Sequence, residues 1–396
     1  MQYDFTTILD RRGMDALAVD FPPAKPRDGF DGIPMWVADM NFPAVPTIPA
    51  AINARVQQTT YGYFLPRQEY FDAIIRWHRE QNGVEGLQQE HIGYANGVLS
   101  GVIGAANVLC SRGDKILIHS PTYIGFTFSL ENCGYKIIHS PLQQDENGVW
   151  RMDLADMERK IVEHQIHTAI LCSPHNPCGR VWERWELEQA MALYQKHGVY
   201  VISDEIWSDL TLENYCHIPT QSISEDAATR TIALYAPSKT FNLAGLVGSY
   251  SIIYNDWLRQ RLQKEMSLSH CNNMNVLSMH ALIGAYQPEG QEWLRQLRQV
   301  LSENVNYACD YIRTHFEGVT LEKPQGTYML FVDCTAWCQA HGKTLDDVLA
   351  ACYEVGVALQ DGRPFHGKCH LRINLALPLS RVQEAMQRLD KYVFNA

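Results

Sequence analysis

Nowhere in the 396-residue chain do two of its 11 cysteines stand in a Cys-x-x-Cys spacing. The scatter suggests neither a zinc site nor a disulfide framework, and the thiols read as reduced. Long apolar runs are missing too. No uninterrupted stretch approaches the roughly 20 residues of a membrane-spanning helix, and Met1-Gln2-Tyr3-Asp4-Phe5 lacks the basic and apolar regions of a secretory signal. A cytoplasmic protein without membrane contact is expected. Positive charge is also scarce: 33 Lys and Arg against 44 Asp and Glu leave a formal charge of −11. With no basic stripe, a nucleic-acid partner is excluded. Internal repeats, low-complexity tracts and obvious linkers are absent as well.

What is present is the composition of a compact globular enzyme, with 46% hydrophobic and 19% charged residues. A chain of this length buries a large core and is expected to divide into two unequal domains. Residues 21–34, rich in Pro and Gly, read as an irregular arm. From about residue 39 to 289, apolar strand patterns alternate with helical ones such as 184–197, the rhythm of a largely parallel α/β sheet. A long helix follows over 291–316. Segments 327–333, 345–355, 370–376 and 380–392 then alternate strand and helix as a smaller α/β unit.

Four strand ends carry chemistry. Ala236-Pro237-Ser238-Lys239-Thr240-Phe241-Asn242 follows the apolar run 231–235. Burial there would lower the lysine pKa and leave a neutral amine able to condense with a carbonyl; the alternative is a solvated loop lysine. Ser173-Pro174-His175-Asn176-Pro177-Cys178-Gly179 follows 168–172 and sets an asparagine amide in a turn. It either closes that turn or donates to a phenolate-like oxygen. Ser203-Asp204-Glu205-Ile206 ends a buried strand, so Asp204 caps a following helix or pairs with a cation such as a protonated pyridine nitrogen. Tyr123, after Ser120-Pro121-Thr122, is a core residue or a ring that stacks on a planar cofactor. Strand ends of this kind converge where open α/β sheets place ligands. Asn96-Gly97-Val98-Leu99-Ser100-Gly101 opens a helix whose free N–H groups suit a phosphate, although the Gly97, Gly101, Gly104 spacing also suits close helix packing. Arg372, in a strand pattern, forms a structural ion pair or holds a carboxylate.

Taken together these segments, with Met35-Trp36-Val37-Ala38-Asp39-Met40, Tyr61-Gly62-Tyr63 and Leu371-Arg372-Ile373-Asn374, resemble the fold-type I pyridoxal phosphate (PLP) enzymes of the class I/II aminotransferase superfamily. Within it they are most similar to the cystathionine β-lyase group of the MalY/PatB type. The resemblance covers nearly the whole chain. It implies an N-terminal arm (1–40) joined to a small C-terminal domain (290–396), and a large PLP-binding domain (41–289). Lys239 is then the PLP lysine and the base for the substrate α-proton, Asp204 the partner of the ring nitrogen, and Asn176 and Tyr123 further cofactor contacts. The resemblance also gives the phosphate to the backbone of Val98 and Leu99, to Ser238 and, across a homodimer interface, to Tyr63. Arg372 becomes the clamp for the substrate carboxylate.

The implied reaction cleaves L-cystathionine or a related cysteine S-conjugate to a thiol, pyruvate and ammonia, with Tyr123 or Tyr63 assisting the departing sulfur. No metal is implied. Two alternatives stand beside it: an aminotransferase built from the same residues, and a regulatory protein that binds a transcription factor and keeps a vestigial site. The sequence departs from many aspartate-aminotransferase-like enzymes at Ala236 and Val247, where a hydroxyl residue and an arginine would face the phosphate. Backbone donors and Tyr63 are therefore expected to matter more. Residues 361–368, before Arg372, form a loop shorter than its family counterpart, and a different side-chain preference is expected from it.

Overall fold

A computed structural model describes residues 2–395. Met1 and Ala396, the outermost residues of the arm and of the C-terminal unit, lie outside them. Seven strands form the main sheet: Ile92–Ala95 (β1), Lys115–Ser120 (β2), Lys136–Pro141 (β3), Thr168–Cys172 (β4), Tyr200–Asp204 (β5), Thr231–Tyr235 (β6) and Ser249–Ile252 (β7). Their order is β1-β7-β6-β5-β4-β2-β3. Among the described residues only β7 runs antiparallel to its neighbours; the remaining paired strands are parallel. The central strands β4 and β6 are buried at every position. This is what continuous apolar runs such as Ile232-Ala233-Leu234 require, because helices cover both faces of a parallel sheet. Parallel pairing brings the carboxyl ends of β2, β4, β5 and β6 to one edge, and β1, antiparallel to β7 as β6 is, ends at the same edge.

The helix expected over 184–197 spans Arg184–Lys196, and the long one spans Pro288–His315. The latter buries Trp293, Leu297, Leu301, Val305, Ala308 and Ile312, a stripe at three- and four-residue spacing that lies against the core. Beyond it comes a second sheet of Thr320–Leu321 (β8), Met329–Asp333 (β9), Gln360–Asp361 (β10) and His370–Asn374 (β11), ordered β8-β9-β11-β10 and antiparallel throughout. Here the strand expected from residue 327 starts two residues later, because Thr327 sits at φ 67° and cannot extend the ladder. The last expected helix stops at Leu389 and passes into a π-helical turn ending at Phe394.

The arm is irregular apart from the short helix Leu17–Asp20 and the strand Ile33–Pro34. That strand pairs in parallel with Val357–Ala358, and the Asn374 N–H donates to the Met35 carbonyl at 2.8 Å. Residues 36–40 are thereby carried across the carboxyl edge of the main sheet.

Candidate active site

A cavity of about 450 Å³ opens at that edge. Val98, Leu99, Tyr123, Asn176, Asp204, Ser238, Lys239 and Arg372 all line it, so eight of the nine residues expected to act together share one wall space. Tyr63 is the exception. It is fully exposed and does not reach the cavity of its own chain.

Each residue is delivered by a local rule. Tyr123 leaves β2 and forms the N-cap position of the helix Ile124–Asn132; Asn176 stands in the turn after β4. Asp204 is the last residue of β5, and instead of capping a helix it accepts the Ile206 N–H at 3.0 Å, closing a tight turn. Lys239 lies in the one-turn helix Pro237–Thr240 after β6, with its Nζ donating weakly to the Ala38 carbonyl at 3.4 Å. Arg372 is central in β11, reaching back from the second sheet.

Burial sets the electrostatics. It pushes the Lys239 amine down to about 8, Arg372 adding to the effect while Asp204 and Asp39 oppose it. It pushes the Asp204 carboxyl up to about 7, with the Ile206 N–H and Lys239 restraining the rise and Glu205 adding to it. Arg372 is lowered to about 10, again chiefly by burial. Its Nη1 donates to Asn176 Oδ1 at 3.3 Å, its Nε has no partner among the described residues, and its guanidinium carbon lies 4.5 Å from the centre of the Phe365 ring.

The residues present match an aldehyde-bearing pyridine phosphate. The helix Val98–Leu109 begins at Gly97 with no side-chain cap, so its first N–H groups are free for a phosphate. Gly97 has φ 84°, and a Cβ there would come no nearer to another side chain than 4.0 Å, at Val247 Cγ1. The left-handed backbone, not crowding, is what makes that cradle need a glycine. Ser238 supplies a hydroxyl, and Val247 and buried Ala236 add no charge or hydroxyl there. A neutral-capable amine, a desolvated carboxylate and a guanidinium whose Nε is unpartnered complete a set of groups for a carbonyl, a pyridine nitrogen and a carboxylate.

Reasoning from strand ends did not assign roles to Trp207, Phe365, Trp36, Gln360 or Cys172, all of which line the cavity. Trp207 is buried, its ring 5.8 Å from Lys239 Nζ. An apolar side chain inside the otherwise polar and Gly-rich run 361–368 was the available signal for Phe365; for Trp207 it was a tryptophan three residues past Asp204.

The aminotransferase class I and II family model matches residues 38–389. Cystathionine beta-lyase PatB of Bacillus subtilis is 32% identical over 361 residues, covering 91% of this chain and 92% of that protein. Among solved structures, cystalysin from Treponema denticola, which contains a pyridoxal 5'-phosphate cofactor, superposes with a TM-score of 0.90 at 30% identity, covering 99% of this chain and 98% of its own. The PLP-bound C-S lyase from Staphylococcus hominis gives a TM-score of 0.89 at 29% identity, with 98% of both chains covered. A match across this span means that the chain belongs to the aminotransferase class I and II family.

Proposed function

We propose that this protein is a PLP-dependent carbon–sulfur β-lyase that cleaves L-cystathionine or a related cysteine S-conjugate to a thiol, pyruvate and ammonia. The observation that carries the reading is the convergence of Lys239, Asp204, Asn176, Tyr123 and Arg372 on one cavity beside an uncapped helix N-terminus. Bound PLP supplies a carbonyl that condenses with amines and a ring that withdraws electrons from the substrate α-carbon. The chain supplies the rest. Lys239 would hold the cofactor through its amine and, as a neutral amine, would take the substrate α-proton. The Asp204 carboxylate would keep a proton on the pyridine nitrogen, a pairing that would relieve the cost of its burial. The phenol of Tyr123 would pack on the cofactor from the cavity wall, and Asn176, which accepts from Arg372, would donate to the cofactor through its amide nitrogen. Arg372, with Nε and one edge of its fork unpaired, clamps the substrate carboxylate.

The cavity contains no cation besides Lys239 and Arg372 among its lining residues.

The same reading divides the chain into arm (1–40), large domain (41–289) and small domain (290–396), in a cytoplasmic homodimer where Tyr63 serves the cavity of the second copy. Exposure of Tyr61, Tyr63 and Leu65 on one segment supports that surface being covered. A monomeric holoenzyme in light scattering would remove it.

The decisive assay is L-cystathionine with holoenzyme and no oxo acid, read by pyruvate. Sustained turnover is expected, falling by about 10³-fold or more in Lys239→Ala, with borohydride trapping the cofactor on residue 239 in the parent protein only. One turnover followed by a stalled pyridoxamine spectrum would replace the lyase reading by an aminotransferase.

A further inference from the structure

Two of the 11 cysteines bring their sulfur atoms into contact: Cys369 Sγ lies 3.6 Å from Cys338 Sγ, across 31 residues of chain. The fold pins both backbones. Asp333 faces His370 across β9 and β11, and one residue further the Cys334 N–H donates to the Cys369 carbonyl at 2.8 Å. Cys334 is the N-cap position of the helix Thr335–His341, and the Cys338 N–H returns to the Cys334 carbonyl at 2.9 Å. Cys338 therefore stands one helical turn above a residue already hydrogen-bonded to Cys369, on the same side of the helix. Cys338 is buried and Cys369 half-buried, so solvent reaches the pair through Cys369.

We propose that Cys338 and Cys369 form an oxidation site that small-molecule disulfides, such as glutathione disulfide, convert to an intramolecular disulfide. The Cys369 thiolate attacks one sulfur of the external disulfide, whose other half leaves as a thiolate. Cys338 then loses its proton to solvent and attacks the Cys369 sulfur of the mixed disulfide, expelling the second thiolate. Two electrons pass from the protein dithiol to the external disulfide, which leaves as two thiols. Burial, with the neighbouring Cys369 sulfur adding to it, raises the Cys338 thiol, which leaves the first attack to the more accessible Cys369 and the second to proximity within the mixed disulfide. The sulfurs have to close from 3.6 Å to about 2.05 Å. The ring so closed contains Gln360 and Phe365, two residues of the cavity wall, and ties that wall to the helix Thr335–His341.

The test uses holoenzyme incubated with glutathione disulfide, alkylated, digested without reductant and mapped by mass. A Cys338–Cys369 peptide pair lighter by two hydrogens is expected, together with a thermal midpoint raised by roughly 2–6 °C that reductant reverses. The linked pair is expected to persist in Cys216→Ser, which removes an exposed cysteine elsewhere, and to vanish in Cys369→Ser and Cys338→Ser. A lasting glutathione adduct on Cys369 without the link, or free alkylated thiols at both positions, overturns the proposal. Because that reading comes from the parent protein, it stands even where a serine variant fails to fold. The outcome is independent of lyase activity, which is assayed separately on the reduced enzyme.

Discussion

Asp204 and Glu205 are consecutive and both buried, yet their carboxylates live in opposite conditions. Asp204 opens on the cavity, accepts the Ile206 N–H and is pushed up to about 7 by burial. Glu205 turns to the other side of the sheet edge. There it meets His217 Nε2 and the Tyr235 hydroxyl, both at 2.6 Å, the Ser203 hydroxyl at 2.8 Å and the Thr220 N–H at 3.1 Å. Burial alone would raise Glu205, but His217 and these donors hold it below the usual carboxylate range. The arginines repeat the contrast. Arg372 has one long bond and an unpartnered Nε, whereas buried Arg180 is surrounded by Glu183, Glu186, Gln325 and the carbonyls of Trp150 and Val181. Charges that belong to the fold are saturated from within; charges in the cavity are left short of partners, which is the state a ligand completes.

The sharpest way to break this comparison is to exchange the two acids for their amides. Asp204→Asn is expected to lower lyase kcat by about 10²–10³-fold, since the carboxylate proposed to pair with the cofactor ring is gone. Stability should move the other way. The folded carboxyl titrates near 7 rather than 3.8, so the folded chain binds the additional proton and loses stability as pH rises through that window. Removing the group should therefore make the cofactor-free protein more stable at pH 8, by about 1–4 kcal/mol. Glu205→Gln should do the reverse, costing about 3–5 kcal/mol by breaking the buried Glu205–His217 pair, with kcat little changed. Denaturant melts and pyruvate assays on both variants decide it, and equal effects on stability and rate would end the distinction.

Arg372 sharpens it further. Arg372→Lys keeps the charge but loses the planar fork, and KM for L-cystathionine is expected to rise about 10–100-fold with a smaller change in kcat. Phe365→Leu removes only the ring beneath the guanidinium, so a KM increase of about 3–10-fold is expected. A Phe365→Leu enzyme with the parent KM would show that Asn176 alone positions the clamp.

The smallest expected effect is on pH. Lys239 is lowered to about 8, so its amine is protonated below that value and neutral above it. The rate at which cofactor-free protein captures PLP, followed by near-visible absorbance, should climb between pH 7 and 9 and then level off. A midpoint near the ordinary 10.5 would mean that water reaches the amine freely.

Much of this site was legible in the chain. Lys239, Asp204, Asn176 and Tyr123 each follow a short apolar run, and parallel pairing sends all such ends to one edge, so position in a strand-and-turn pattern already implied a shared location. Arg372 was harder, since a strand arginine has no direction until its sheet is placed against the cavity; the resemblance, more than the pattern, marked it. Phe365 and Trp207 carried only weak local signals, because a ring in a loop acquires a role through what it packs against. The partner assignments of Asp204 and Glu205 were equally hidden: two adjacent acids read alike until the sheet edge separates them.

By itself, then, the order of residues determined the elements, the polarity of the strands and which side chains stand at their ends, because apolar period, Gly and Pro placement and turn chemistry act over a few residues. Tertiary structure alone decided which charge is satisfied and which is left waiting, how Arg372 meets Asn176 and Phe365, and that Cys338 touches Cys369. Those depend on desolvation and on contacts between segments distant in sequence, and neither quantity exists until the chain has closed on itself.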